Sequence, residues 1–401
     1  LFNYDIEKQD LLRKTGYFSW VVFSANTAKE MRFFNLFDFF ANKYKDHMSE
    51  YVRGEKKIVR SKGLFDSLCA VLPLVGVYIV MAFVFFDILQ TTRLIGDFIF
   101  YLGIYMTIKD KFIAMIMDLA KMSELEFGIE RFRDYNSLTP AIANTGEKTL
   151  DKIQTIEFKD VYFKYPHSKK YVINNLNIRI NADERIGIVG VNGAGKSTLV
   201  KLLLRFYDVT SGNIYINGID IKEYEIGSLR DQFSVVFQDF NIYSLSLREN
   251  IAMSRIKDIH IDERIAEALE FTNLTSETIN MESLDQDITK SFSAEGIELS
   301  GGQRQKLAIS RCVFRKAQIV IMDEPTAALD PIAEAKILND FSRLYQDSGL
   351  LMISHRLSNT TQMDRIIVIE NGAIIEEGTH KQLMALSKRY SELFNYQASK
   401  Y

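Results

Sequence analysis

From Leu64 to Phe86 the chain reads LFDSLCAVLPLVGVYIVMAFVFF, 23 positions in which Asp66 is the sole charge. As a helix this run is about 34 Å long, enough to cross a hydrocarbon core about 30 Å thick. Its Leu, Ile, Val and Phe residues gain roughly 4 to 8 kcal/mol on an insertion scale, and an Asp near one end costs less than the ~3 kcal/mol of a midplane charge. A buried helix of a large soluble domain is the alternative, though core helices rarely run this long without charge. The next apolar segment, Leu94 to Ile108, is about 22 Å long before Lys109, Asp110 and Lys111 interrupt it, too short to cross alone. Continued to Leu119, it makes a second span expected to line a polar pathway near its cytoplasmic end. Seven Lys or Arg lie between Lys43 and Lys62 against one between Asp87 and Arg93. The first flank is therefore expected in the cytoplasm, and so is everything beyond the second span.

Two unlike halves explain a mean hydropathy of −0.06. A net charge of −3 argues against a strongly basic nucleic-acid binder, and no nucleic-acid partner is expected. Cys69 and Cys312 stand far apart without metal-ligand spacing, which fits a reducing interior and no disulfide framework. No Met opens the sequence and no leader pattern follows Leu1, so the chain is expected to begin partway through a membrane domain. Ser137 to Lys152 is polar, with Pro140, Asn144 and Gly146, and reads as a linker over 141–152. Beyond it, the runs YVINNLNIRI, RIGIVG, QFSVVFQ, QIVIMD, LLMIS and RIIVIE alternate with helical stretches, the pattern of an α/β domain around a largely parallel sheet.

Gly190 to Thr198 is GVNGAGKST, a GxxxxGK[ST] loop between an apolar strand and a helical run. Small residues let backbone N–H groups approach phosphate, and the helix start adds a favourable dipole. Gly190, Asn192, Gly193, Ala194, Gly195, Lys196, Ser197 and Thr198 are the candidate nucleotide-binding residues, with Lys196 on the β- and γ-phosphates and Ser197 on Mg²⁺. Alone, this loop does not separate a kinase, a GTPase and a transport ATPase. In IVIMDE, an apolar strand delivers Asp323 as an Mg²⁺ anchor and Glu324 as a general base. Leu299, Ser300, Gly301, Gly302 and Gln303 spell LSGGQ at a helix start, a second anion-seeking helix end; read alone it is only a helix cap.

With these motifs together the chain resembles the ATP-binding cassette (ABC) family over about residues 153–395. The resemblance implies an α/β P-loop NTPase cassette using ATP and Mg²⁺. It implies Gln238 as the Q-loop glutamine at Mg²⁺ or the attacking water, His355 as the switch histidine at the γ-phosphate, Asp330 as the D-loop aspartate and Tyr165 as the aromatic against adenine. In the family two cassettes sandwich two ATP molecules, each phosphate loop facing the LSGGQ of the other subunit, so a dimer is implied. With Glu324 and His355 both present, the cassette resembles a hydrolysis-competent one. Glu295 in SAEG stands where exporters commonly carry a Thr/Val-Gly-Glu stretch.

Residues 1–140 resemble the second half of an exporter's α-helical membrane domain. That places a cytoplasmic coupling loop at about 1–62, with a coupling helix around Ser24 to Phe37, and spans at about 64–86 and 94–119. The implied protein is an exporter half in the cell membrane, surrounded by lipid, paired with an identical or different half. It would move a drug, lipid or peptide as ATP is hydrolysed. A soluble cassette ATPase and a non-hydrolysing regulatory half are the alternatives.

Overall fold

The computed structural model describes residues 2–24, 27–90, 95–140, 142–276, 279–325, 336, 341, 348–354 and 356–399. It divides into two compact units, Leu1–Leu138 and Thr139–Tyr401. The first is helical: α1 (Phe2–Phe23), α2 (Ala28–Phe33), α3 (Phe37–Gln90) and α4 (Ile95–Asn136). The apolar run from Leu64 is not a separate element. It continues a helix that begins in charged sequence at Phe37, and the whole of α3 is about 81 Å long.

Side chains of α1 meet the polar half of α3 in antiparallel order. Lys8 Nζ lies 2.7 Å from Glu55 Oε1, and the Phe18 ring stacks on His47 with centroids 5.5 Å apart. The turn between them is tied by Thr27 Oγ1, which donates to Val21 O at 2.6 Å, and α2 lies inside the 24–37 segment expected to hold a coupling helix. Further along, α3 and α4 approach closely at Gly76, where an added Cβ would lie 2.2 Å from the Tyr105 hydroxyl oxygen. Among the described residues no helix is long and apolar enough to cross a membrane. Both expected spans include positions whose side chains lie outside the described residues: 65, 66, 68–70, 72 and 73 in the first, with Cys69 among them, and 94, 95, 97, 98 and 117 in the second.

The second unit is α/β. Its strands are β1 (Thr155–Phe163), β2 (Ile173–Asn181), β3 (Arg185–Val189), β4 (Ser211–Ile216), β5 (Ile219–Asp220), β6 (Phe233–Val236), β7 (Ile319–Asp323), β8 (Gly349–Ile353), β9 (Arg365–Glu370) and β10 (Ala373–Gly378). The principal helices are α5 (Lys196–Leu203), α6 (Ile226–Asp231), α7 (Leu247–Ala252), α8 (Asp262–Phe271) and α9 (Gly301–Arg315). A six-stranded sheet has the order β10-β9-β3-β8-β7-β6; its neighbours are parallel except for β10 on β9. One sequence expectation needs correction. The YVINNLNIRI run is β2, which belongs not to the parallel sheet but to a separate antiparallel sheet of order β2-β1-β4-β5.

Alternation on two covered faces explains why the central strands are apolar throughout. Ile186, Ile188, Ile321, Ile353 and Ile367 join the core shared with the antiparallel sheet and α5. Their neighbours Val189, Val320, Met322, Met352 and Val368 join the core under α7, α8 and α9. Each strand thus serves both cores and leaves its carboxyl end free for polar groups. Residues 142–152, expected as a linker, are held against the rest of this unit. Asn144 Oδ1 accepts from Ile226 N at 2.9 Å, Lys148 N donates to Glu223 O at 3.1 Å, and Leu150 is 4% exposed.

Candidate functional site

The chain leaves β3 through residues 190–195 and enters α5 at Lys196. Two glycines make that path possible. At Gly195, φ is +106° and a Cβ would lie 2.9 Å from Val172 O, while at Gly190, φ is +156° and a Cβ would lie 2.2 Å from Ile369 O. The backbone therefore curls tightly, and no side chain caps α5, so its first N–H groups face the loop. Lys196 is 5% exposed and folds back, its Nζ donating to Gly190 O at 2.9 Å and to Val191 O at 3.1 Å. Burial lowers its pKa, opposed by the nearby charges of Glu324 and Asp323. An anion at the loop would compensate a desolvated ammonium and the unsatisfied helix start together.

The strand β7 lies two places from β3 in the sheet and ends in the acid pair. Asp323 is 6% exposed, and Ser197 Oγ donates to its Oδ1 at 3.1 Å. Burial pushes the Asp323 pKa up, and the Ser197 hydrogen bond holds it down. A hydroxyl and a desolvated carboxylate side by side are hard oxygen donors, the kind Mg²⁺ takes together with phosphate oxygens. Glu324 adopts φ +51°, a left-handed conformation uncommon for a side chain of this size and costly unless its surroundings hold it. Here its N–H donates to Ile353 O at 3.0 Å. Its Oε2 accepts from Gln238 Nε2 at 3.1 Å, so the segment after β6 and the end of β7 meet.

Lys196, Ser197, Gln238 and Glu324 line one cleft of about 480 Å³ that also holds Tyr165, Val172, Asn192, Gly193, Gly195 and Thr198. Tyr165 and Thr198 hydroxyls are 3.0 Å apart, which fixes the ring at the mouth of the loop. Ala194, 2% exposed, points into the core instead. A separate groove of about 350 Å³, lined by Phe206, Phe237, Arg230 and Arg311 among others, contains none of the motif residues.

The LSGGQ residues do not join the cleft of their own chain. Leu299 is buried, while Ser300 caps α9 in a capping box, accepting from Gln303 N at 3.3 Å as Gln303 Oε1 accepts from Ser300 N at 2.9 Å. Gly301 and Gly302 form the first turn, with Ser300 and Gly301 exposed. His355 and Asp330 lie outside the described residues. Sequence reasoning overlooked two polar side chains of α9 that bond backbone carbonyls of other segments. Gln305, 3% exposed, donates to Pro325 O. Arg311 donates to Asn250 O and Asn241 O, each at 2.7 Å.

Residues 173–327 match the family model described as ABC transporter. The chain is 32% identical over 390 residues, 96% of its length, to the subtilin transport ATP-binding protein SpaT of Bacillus subtilis, and spans 63% of that protein. It is 36% identical over 258 residues to the ATP-dependent lipid A-core flippase of Salmonella paratyphi A, covering 63% of this chain and 41% of the flippase. Among solved structures, a bacterial Atm1-family ABC exporter with ATP bound superposes with a TM-score of 0.82 at 25% identity, over 98% of this chain and 68% of that one. The chain thus spans less than two thirds of the length of the curated relatives named here.

Proposed function

We propose that the chain, whose residues 173–327 match the ABC transporter family model, is part of an exporter half that binds and hydrolyses ATP to drive transport across the cell membrane. The observation that carries the chemistry is the meeting, in one cleft, of the phosphate loop with Glu324 and Gln238. The observation that supports export is a likeness extending over 96% of the chain to a transport protein, which takes in the helical unit as well as the cassette.

In this reading the loop backbone and Lys196 hold the ATP phosphates and Tyr165 packs against the adenine. Ser197, Asp323 and Gln238 would hold Mg²⁺, which when bound supplies charge neutralisation at the β- and γ-phosphates. Glu324 accepts the proton of the attacking water, and its strained backbone points the carboxylate across the cleft toward Gln238. The family resemblance assigns His355 to the γ-phosphate and Asp330 to the D-loop. The exposed Ser300 and Gly301 meet the nucleotide of a second half-transporter, identical or different. The segments 64–86 and 94–119 are the membrane spans, α2 is the coupling element, and the cassette lies in the cytoplasm. The cargo is a drug, lipid or peptide; the relatives' names include subtilin transport, lipid A-core flipping and multidrug export.

The test is phosphate release by the purified full chain at saturating ATP with Mg²⁺, and again after the cation is removed with EDTA. Hydrolysis is expected only with the cation and is expected to return when Mg²⁺ is restored. Release that persists undiminished in EDTA would remove Ser197 and Asp323 from their assigned role, and no release under any condition would end the hydrolytic reading.

A further inference from the structure

Gln305 is the anomaly of α9. It shares a helix face with Ala308, Ile309 and Cys312, three, four and seven positions on, all of them buried in one core. It is itself 3% exposed. A buried amide among apolar neighbours costs free energy unless it is hydrogen-bonded, and an apolar side chain would fill the place without that cost. One bond of this amide runs from Nε2 to Pro325 O, the carbonyl directly after Glu324. Six residues further along the helix, Arg311 Nη1 donates to Asn241 O at 2.7 Å and its Nη2 to Asn250 Oδ1 at 2.9 Å. Asn241 lies three residues beyond Gln238. One helix therefore holds the backbone one residue after Glu324 and three residues after Gln238. The same helix begins with the exposed Ser300–Gly301 turn, and it runs unbroken from Gly301 to Arg315.

We propose that Gln305 is a positioning residue that makes the placement of Glu324 depend on what the N-terminus of its own α9 touches. A 15-residue helix moves as a body. When Ser300 and its neighbours engage a nucleotide held by the partner, the displacement reaches Pro325 through Gln305 and shifts the Glu324 carboxylate relative to the cleft. Each site is thereby informed of occupancy at the other. The inference rests on the ATPase-dimer reading above and adds a route of communication to it.

The experiment is a double-mutant cycle in the assembled full-length protein, reading kcat and KM for MgATP in wild type, Gln305→Met, Ser300→Ala and the double variant. Gln305→Met keeps the volume and removes the donor. Its kcat is expected to fall about 10-fold with KM within about twofold, the signature of an interaction that acts in the chemical step and not in binding. Because both substitutions would break one relay, the double variant is expected to match the worse single one, about 10-fold down, instead of the ~100-fold product of independent effects. Gln305→Leu, which likewise has no donor to give, repeats the measurement if the Met variant unfolds at lower temperature. An unchanged kcat, or losses that multiply, overturns the proposal while wild-type activity and its abolition in Glu324→Gln leave the ATPase reading standing. A wild type that hydrolyses nothing overturns both.

Discussion

Glu324→Gln is expected to lower the rate of ATP hydrolysis about 10²- to 10⁴-fold, the range a positioned general base contributes, while leaving nucleotide affinity close to that of wild type. The substitution changes one oxygen to an amide nitrogen and preserves volume. The backbone bond from residue 324 N to Ile353 O does not involve the side chain, so the turn that holds φ at +51° is retained. What disappears is the carboxylate that would accept the water proton. The contact with Gln238, an amide donating to a carboxylate at 3.1 Å, survives because the amide oxygen of the new side chain can also accept. Nucleotide binding draws on the phosphate loop, which this residue borders without belonging to it. Phosphate-release kinetics together with titration of a fluorescent ATP analogue separate the two quantities. More than half of the wild-type rate in the variant would assign the base elsewhere, and a matching loss of affinity would make Glu324 a binding residue.

The contrast between what was legible in the sequence and what was not follows how locally each feature is built. The phosphate loop is contiguous, so strand, glycines, lysine and helix all appear within residues 185–203. Asp323 and Glu324 are legible for the same reason, as the polar end of an apolar run. The antiparallel sheet was hidden because β1 pairs through register shifts on both sides, against β2 between Phe158 and Val161 and between Val161 and Phe163, and against β4 between Lys159 and Tyr162. Asp160 in that stretch has φ +48°, which breaks the period-two alternation that would reveal a strand. Likewise, the apolar strand end pointed to Glu324 and the family resemblance to Gln238, but their 3.1 Å contact joins positions 86 apart in the chain. Gln305 carried a signal that went unread, namely a polar residue at helical spacing from Ala308, Ile309 and Cys312. Buried charge told a similar story in the linker: Arg205, 3% exposed, reaches Ala143 O at 3.2 Å, a partner no local pattern announces.

Lys196→Met is expected to weaken ATP binding about 10- to 100-fold, since a hydrogen bond to a charged group is worth about 1.5 to 3 kcal/mol and each 1.4 kcal/mol is a factor of ten. The same substitution is expected to leave the ligand-free cassette at least as stable as wild type, and the reason lies in the sign of the pKa shift. Burial lowers the Lys196 pKa in the folded state. Below that lowered pKa the lysine is charged in both states, and the folded state bears the full cost of desolvating it; the cost fades as pH rises through the folded pKa toward the unfolded one. Near neutral pH the cost is therefore present, and methionine removes it along with two hydrogen bonds to backbone carbonyls. Ligand reverses the balance. A phosphate compensates the ammonium in wild type, so saturating ATP raises the unfolding temperature by an amount set by concentration over Kd. In the variant that increment is expected to shrink sharply at the same ATP concentration. Thermal unfolding of the cassette transition, with and without ATP, reads both effects in one experiment. An undiminished ATP increment would take Lys196 off the phosphates, and a variant that melts well below wild type without ligand would show that the lysine holds the loop together through Gly190 and Val191 instead of waiting for an anion.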